Sequence, residues 1–205
     1  MASGKHERRS LDGDALARAK QVIKLAWSDL PRADQLLLEN VGADRWEVVD
    51  SPLGRFADDL LHSASHGRMT ASQRNSLDQA LGVWVHGLNV VLIDAGNREY
   101  AGLDQRSYEA ALVRVAWHEW AHALGVARAT ADDVAAGPRL LGLAPDGVRD
   151  GIRSAGYRRH QYTHELIAEI YALLMARRRR GQVGQPPWLE EELYELVRRV
   201  CGWSQ

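Results

Sequence analysis

Two histidines four residues apart, with a glutamate directly after the first, sit in the stretch VRVAWHEWAHALGV, residues 113–126. Positions four apart on a helix lie one above the other, so His118 and His122 can offer ring nitrogens to one point in space. Glu119 is turned by about 100° from His118 on the same helix, which suits a base acting on water beside that point better than a third ligand. The chemistry this pattern serves is metal-assisted hydrolysis. Catalytic zinc takes three protein ligands and keeps an open position, where water is acidified toward a pKa of ~7 and a carbonyl is polarised. One helix supplies only two ligands, so a third His, Asp or Glu must come from elsewhere. The plainer reading is a pair of histidines hydrogen-bonded at the edge of a core that includes Trp117 and Trp120. The cost of burying Glu119 without a partner weighs toward the metal.

Six residues after His122 stands Arg128, where the extended motif of metzincins carries a third histidine. A better source is YTHELIAEIYALLM, residues 162–175, where Glu165 and Glu169 share one helical face beside Ala168 and Ala172. Gly125 lies on the His118/His122 face, so both helices are thinned where carboxylate and imidazoles would meet. His164 and His160 are alternative third ligands, because imidazole also suits zinc. A metal-bound imidazole needs its other N–H held by an acceptor, and Glu169 is the candidate. A transition-state oxyanion needs a donor opposite the metal. Tyr157, His160 and Tyr162 precede Glu165, and Tyr157 is favoured by its place on a loop that could overhang the cleft. His86, in WVHGLN, reads as a structural residue of a strand, and Trp120 as a residue that can line the substrate cleft.

HEWAH followed by ELIAEIYA resembles the gluzincin metallopeptidases. The second motif is similar to the E-x-x-A-D/N-x-F/Y-A signature of minimal cytoplasmic zincins such as the ImmA/IrrE regulators, and of membrane-embedded CAAX-processing and heat-shock proteases. The resemblance covers about residues 85–176. It implies that His118, His122 and Glu165 carry Zn2+, that Glu119 is the general base, and that Glu169 takes the Asp/Asn position. It further implies a zincin-like metallopeptidase, a hydrolase acting on a protein or peptide substrate, with a strand near Asn89–Asp94 bordering the cleft and pairing with an extended peptide. Glu169 is longer than the usual Asp or Asn, and the 42 residues between His122 and Glu165 exceed the gap in the smallest members. The alternative is a zincin-fold regulatory protein that binds a partner with little or no turnover.

These residues need elements to hold them. Apolar spacing predicts a helix from about Asp12 to Leu30, stopped at Pro31, a short helix over Ala33–Asn40, a strand over Arg45–Asp50 and a helix over Phe56–His62. Thr70–Leu81 reads as helix, and Val83–Asp94 as a hairpin or one bulged strand. The motif helix should run from Ser107 to Val126 and end near Gly125. Residues 127–161, rich in Gly, Pro and Asp, predict a long excursion with one or two brief helices. Helices over Tyr162–Arg179 and Trp188–Val200 follow. The expectation is a mostly helical α+β domain over residues 13–205, with a small sheet and a flexible tail over residues 1–12.

Composition sets the outer limits. Hydrophobic residues make up 45% and charged residues 26%, which fits a folded globular chain. A formal charge of −1 provides no global field for a polyanion or a membrane surface, so nucleic acid is disfavoured. The run Arg177–Arg180 then reads as a solvated helix C-terminus, where cations meet exposed carbonyls. The single cysteine, Cys201, excludes an internal disulfide and any zinc site needing two thiolates from this chain. With no apolar leader and no apolar run long enough to span a bilayer, a cytoplasmic protein without a membrane partner is expected.

Overall fold

The computed structural model describes residues 8–9, 11–64 and 66–203, so most of the expected tail over residues 1–12 lies outside the described residues. In chain order the elements are α1 (Gly13–Ser28), α2 (Arg32–Asn40), β1 (Arg45–Val49), α3 (Leu53–Ser63), α4 (Ala71–Leu77), β2 (Gly82–Val85) and β3 (Val90–Asp94). They continue with α5 (Gln105–Arg128), α6 (Ala131–Leu143), α7 (Asp146–Ser154), α8 (Tyr162–Arg178) and α9 (Glu191–Cys201). Among the described residues the fold is α+β, mainly helical with one three-stranded sheet. The described residues fall into two compact units, one within 1–28 and 42–116 and the other within 29–41 and 117–205.

In the first unit the sheet order is β1-β3-β2. The run VVLID is buried at every position because β3 is the central strand, with β1 parallel on one side and β2 antiparallel on the other. The Val83–Asp94 ambiguity resolves as a hairpin, closed by a 3-10 turn over His86–Leu88 and by Asn89 in the left-handed region at φ +49°. One expectation fails here. Both hydrogen-bonding edges of β3 are taken, so the strand over Asn89–Asp94 cannot itself pair with an extended peptide. Val49, Leu53, Ala57, Val90 and Leu92 form the core beside the sheet. Asp94, fully buried at the end of β3, accepts two hydrogen bonds from Arg8 at 2.7 and 2.6 Å, and the Arg9 N–H donates to the Gly96 carbonyl at 3.0 Å. The described part of the N-terminal segment is thus anchored rather than loose.

The second unit is built on α8, which packs against α6, α7 and α9. Leu166, Ile167, Ala168, Ile170, Tyr171 and Ala172 are all fully buried, so α8 is apolar on nearly every side. Residues 127–161 form two substantial helices, not the expected long excursion with brief ones. A capping box between Thr130 and Asp133 starts α6, and Gly137, Leu140 and Leu141 bury its inner face. In α7, Val148 and Ile152 are buried one turn apart. Gly137 marks a close approach: a Cβ there would lie 2.7 Å from Thr163 Oγ1, whose hydroxyl donates to the Asp133 carbonyl at 2.8 Å. Gly125 likewise does not end α5 but lies inside it, where an added Cβ would stand 3.3 Å from His164 Nδ1. Asp34, fully buried on α2, accepts from the Tyr171 hydroxyl at 2.7 Å and from the Trp203 indole N–H at 2.9 Å. No helix among the described residues is long and apolar enough to cross a membrane.

Candidate metal centre

Residues Trp117 to Arg128 of α5 and the first turns of α8 lie in the same compact unit, and they carry the centre. Helical spacing stacks His118 and His122, whose Nε2 atoms approach to 3.0 Å. Glu165 faces both: its Oε2 lies 3.7 Å from His118 Nε2 and its Oε1 lies 3.7 Å from His122 Nε2. One ligand atom from each of the three residues falls within 4.8 Å of the others. Small residues make room for this: Gly125 on α5 and buried Ala168 and Ala172 on α8.

The set fits a zinc ion on distance and on chemistry. Ligand atoms at ~2.0–2.1 Å from a tetrahedral zinc stand roughly 3.3 Å apart, and the 3.0, 3.7 and 3.7 Å separations bracket that value. His118 Nδ1 donates to Glu169 Oε1 at 3.4 Å, which leaves the Nε2 lone pair of the neutral ring turned toward His122 and Glu165. Burial, reinforced by the neighbouring His118 and His164, drives the His122 pKa down to about 3, so its ring is neutral and a competent donor. Burial also opposes charge on His118, but its hydrogen bond to Glu169 and the carboxylates of Glu119, Glu169 and Glu165 outweigh it and raise that ring's pKa. The Glu165 carboxyl is pushed up to about 7, first by burial and then by nearby Glu119 and Glu169, against the opposing pull of His118 and a hydrogen bond from Tyr157. His122 is neutral, and the carboxylates gathered around His118 favour positive charge there, so a cation would take the place of the protons that His118 and Glu165 hold.

The other sequence candidates are distributed as follows. Glu119 is 8% exposed, next to the ligand set, and its charge acts on His118, Glu165 and Tyr157. The half-buried Tyr157 hydroxyl lies beside Glu165, and burial with that carboxylate raises its pKa so that the proton is held firmly. Of the three oxyanion candidates only Tyr157 shows this link. His160 is exposed on a 3-10 turn and Tyr162 starts α8 half-buried. His164, offered as a replacement ligand, is not in the cluster; its Nδ1 is buried against Gly125 with no hydrogen-bond partner among the described residues. His86 is exposed and stacks edge-on against Trp84 at 4.9 Å, in the other unit. Trp120 is fully buried, so it is core and not cleft wall. Cys201 is fully buried, and burial near Asp34 raises its thiol pKa, which leaves it inert.

Three buried carboxylates, Asp34, Asp58 and Asp94, escaped the sequence reading. Asp34 meets partners 137 and 169 residues away, and Asp94 meets Arg8 across 86 residues. Separations of that size leave no periodic signal, and only the charged residue inside each otherwise apolar stretch hinted at a buried role. No protein-family model, curated protein or solved structure matches the chain.

Proposed function

We propose that the chain is a gluzincin-like zinc metallopeptidase that hydrolyses peptide bonds. The single observation behind this reading is the convergence of His118, His122 and Glu165 within 4.8 Å, with the buried Glu119 alongside. His118, His122 and Glu165 would hold the ion. Bound there, zinc supplies Lewis acidity toward an amide carbonyl and lowers the pKa of water toward ~7.

The chain's own groups divide the remaining work. Glu169 holds the His118 Nδ1–H, which fixes the tautomer and ring orientation. Glu119 accepts the proton from the attacking water and delivers it to the leaving amine, so one carboxylate serves as base and then as acid. Tyr157 keeps its proton and is available as a hydrogen-bond donor to the oxygen that gains charge as the carbonyl carbon becomes tetrahedral.

Replacing Glu119 by Gln separates metal binding from turnover. The variant is expected to retain one zinc per chain by elemental analysis while hydrolysis of a mixed peptide substrate falls ~10²–10⁴-fold. Equal loss of zinc and activity would remove Glu119 from the role of base. Zinc binding without hydrolysis of any peptide by the unaltered chain would instead favour a partner-binding protein.

A further inference from the structure

The loop that carries Tyr157 is also strongly cationic. From Arg153 to His160 the chain reads RSAGYRRH, with three arginines and no acid. Its course is set locally. α7 ends at Ser154, Gly156 turns the chain in the left-handed region at φ +76°, and Tyr157 then lies beside Glu165. Arg158 and Arg159 follow at once, the second opening the 3-10 turn that leads into α8. Arg153, Arg158 and Arg159 are all exposed, and none has an ion-pair partner among the described residues. Four other arginines of the same unit are paired: Arg139 with Glu192, Arg149 with Asp146, Arg198 with Glu195 and Arg199 with Asp133.

Successive Cα atoms are ~3.8 Å apart, so the backbone of Arg158 is one step from a residue whose side chain acts on the proposed zinc ligand. An extended peptide spans about 7–10 Å in two or three residues, which brings side chains near the cleaved bond within reach of these guanidinium groups. We propose that Arg153, Arg158 and Arg159 form a cationic rim that selects acidic peptides, those with Asp or Glu within two or three residues of the scissile bond. This rests on the peptidase reading above. The planar guanidinium fork matches a carboxylate with two parallel hydrogen bonds, and unpaired arginines carry no internal partner to displace.

The test uses the full chain loaded with zinc and two quenched fluorescent peptides. Both have a randomised four-residue centre, flanked on each side by Glu-Glu in one and by Lys-Lys in the other. The Glu-flanked peptide is expected to be cleaved with the higher kcat/KM, mainly through KM, and the preference should shrink in 0.5 M NaCl. An exposed ion pair is worth about two- to fivefold, so the double variant Arg158→Glu, Arg159→Glu should shift the Glu/Lys ratio by about tenfold or more toward the Lys peptide. Cleavage of both peptides at equal rates, or a ratio unmoved by the double variant, overturns the rim and leaves the peptidase standing.

Fluorescence anisotropy on the Glu119→Gln protein gives a readout that needs no turnover. If neither peptide is hydrolysed by the unaltered chain but the Glu-flanked one binds Glu119→Gln protein more tightly, with the order reversed in the added double variant, the peptidase fails and acidic-peptide selection holds. Displacement of the Glu-flanked peptide by a ten-residue oligothymidylate at lower concentration than by unlabelled peptide would assign the rim to nucleic acid and overturn the proposal.

Discussion

Tyr157 lies beside Glu165 and holds its proton against loss, which suits a neutral donor to a developing oxyanion in the proposed reaction. Tyr157→Phe removes the hydroxyl and little else. Its kcat is expected to fall ~10²-fold with KM nearly unchanged and zinc stoichiometry intact, as read by steady-state kinetics and elemental analysis. In the proposed centre Glu165 would make metal uptake pH-dependent. Its carboxyl is raised to about 7 in the metal-free chain, and the cation takes only the ionised form. Below that value each ion bound displaces a proton, so apparent zinc affinity should fall by about tenfold per pH unit between pH 7 and 5.5 in a chelator competition titration. Affinity that stays level over that range would remove Glu165 from the ligand set.

At the scale of elements, the centre depends on how closely α5 and α6 approach α8. Gly-to-Ala in a helix interior ordinarily stabilises by up to about 1 kcal/mol. Gly151 in α7 has nothing within 4 Å of an added Cβ, so Gly151→Ala should follow that rule and raise Tm. At Gly137 the added carbon would meet Thr163 Oγ1 at 2.7 Å and the Thr163 backbone N at 3.2 Å. Gly137→Ala should therefore lower stability by about 1–3 kcal/mol despite its better helix propensity, and thermal melts of the two variants side by side check the contrast. The same contact explains why α6 was hard to read. Glycine and proline within Ala131–Leu143 look like loop chemistry, yet Gly137 is an approach point and Pro138 sits on the exposed side. The motif helix and α8 were legible because their apolar positions repeat at helical spacing over 24 and 17 residues.

At the scale of the whole molecule, buried carboxylates tie distant segments together. Asp34 joins α2 to Tyr171 on α8 and to Trp203 beyond α9, and burial pushes its carboxyl up to about 6 despite both hydrogen bonds and the nearby Arg128 and Arg178. An unfolded Asp titrates near 4, so between about pH 4 and 6 the folded chain holds a proton that the unfolded chain has released. This contribution to stability is full below pH 4 and is lost as pH rises through 6. Asn at this position keeps an acceptor for Tyr171 and Trp203 and carries no charge to bury. Asp34→Asn should thus be more stable than the parent at pH 7 by about 2 kcal/mol, with the gap closing toward pH 4 in urea unfolding. A gap that widens on acidification would reverse the sign assigned to Asp34.

The sequence alone determined the pair of imidazoles, because four-residue spacing on a helix fixes their common face wherever the helix sits. It also determined the α+β class and most helix positions, through apolar periodicity and through Pro31 as a stop. Only the tertiary structure decided that Glu165, rather than His160 or His164, faces both rings, that Tyr157 alone among three candidates reaches that carboxylate, and that β3 is a central strand with no free edge. Those are matters of which helix face meets which and of which strands pair. They follow from the packing of small and large side chains between segments far apart in the chain, where spacing along the sequence carries no information.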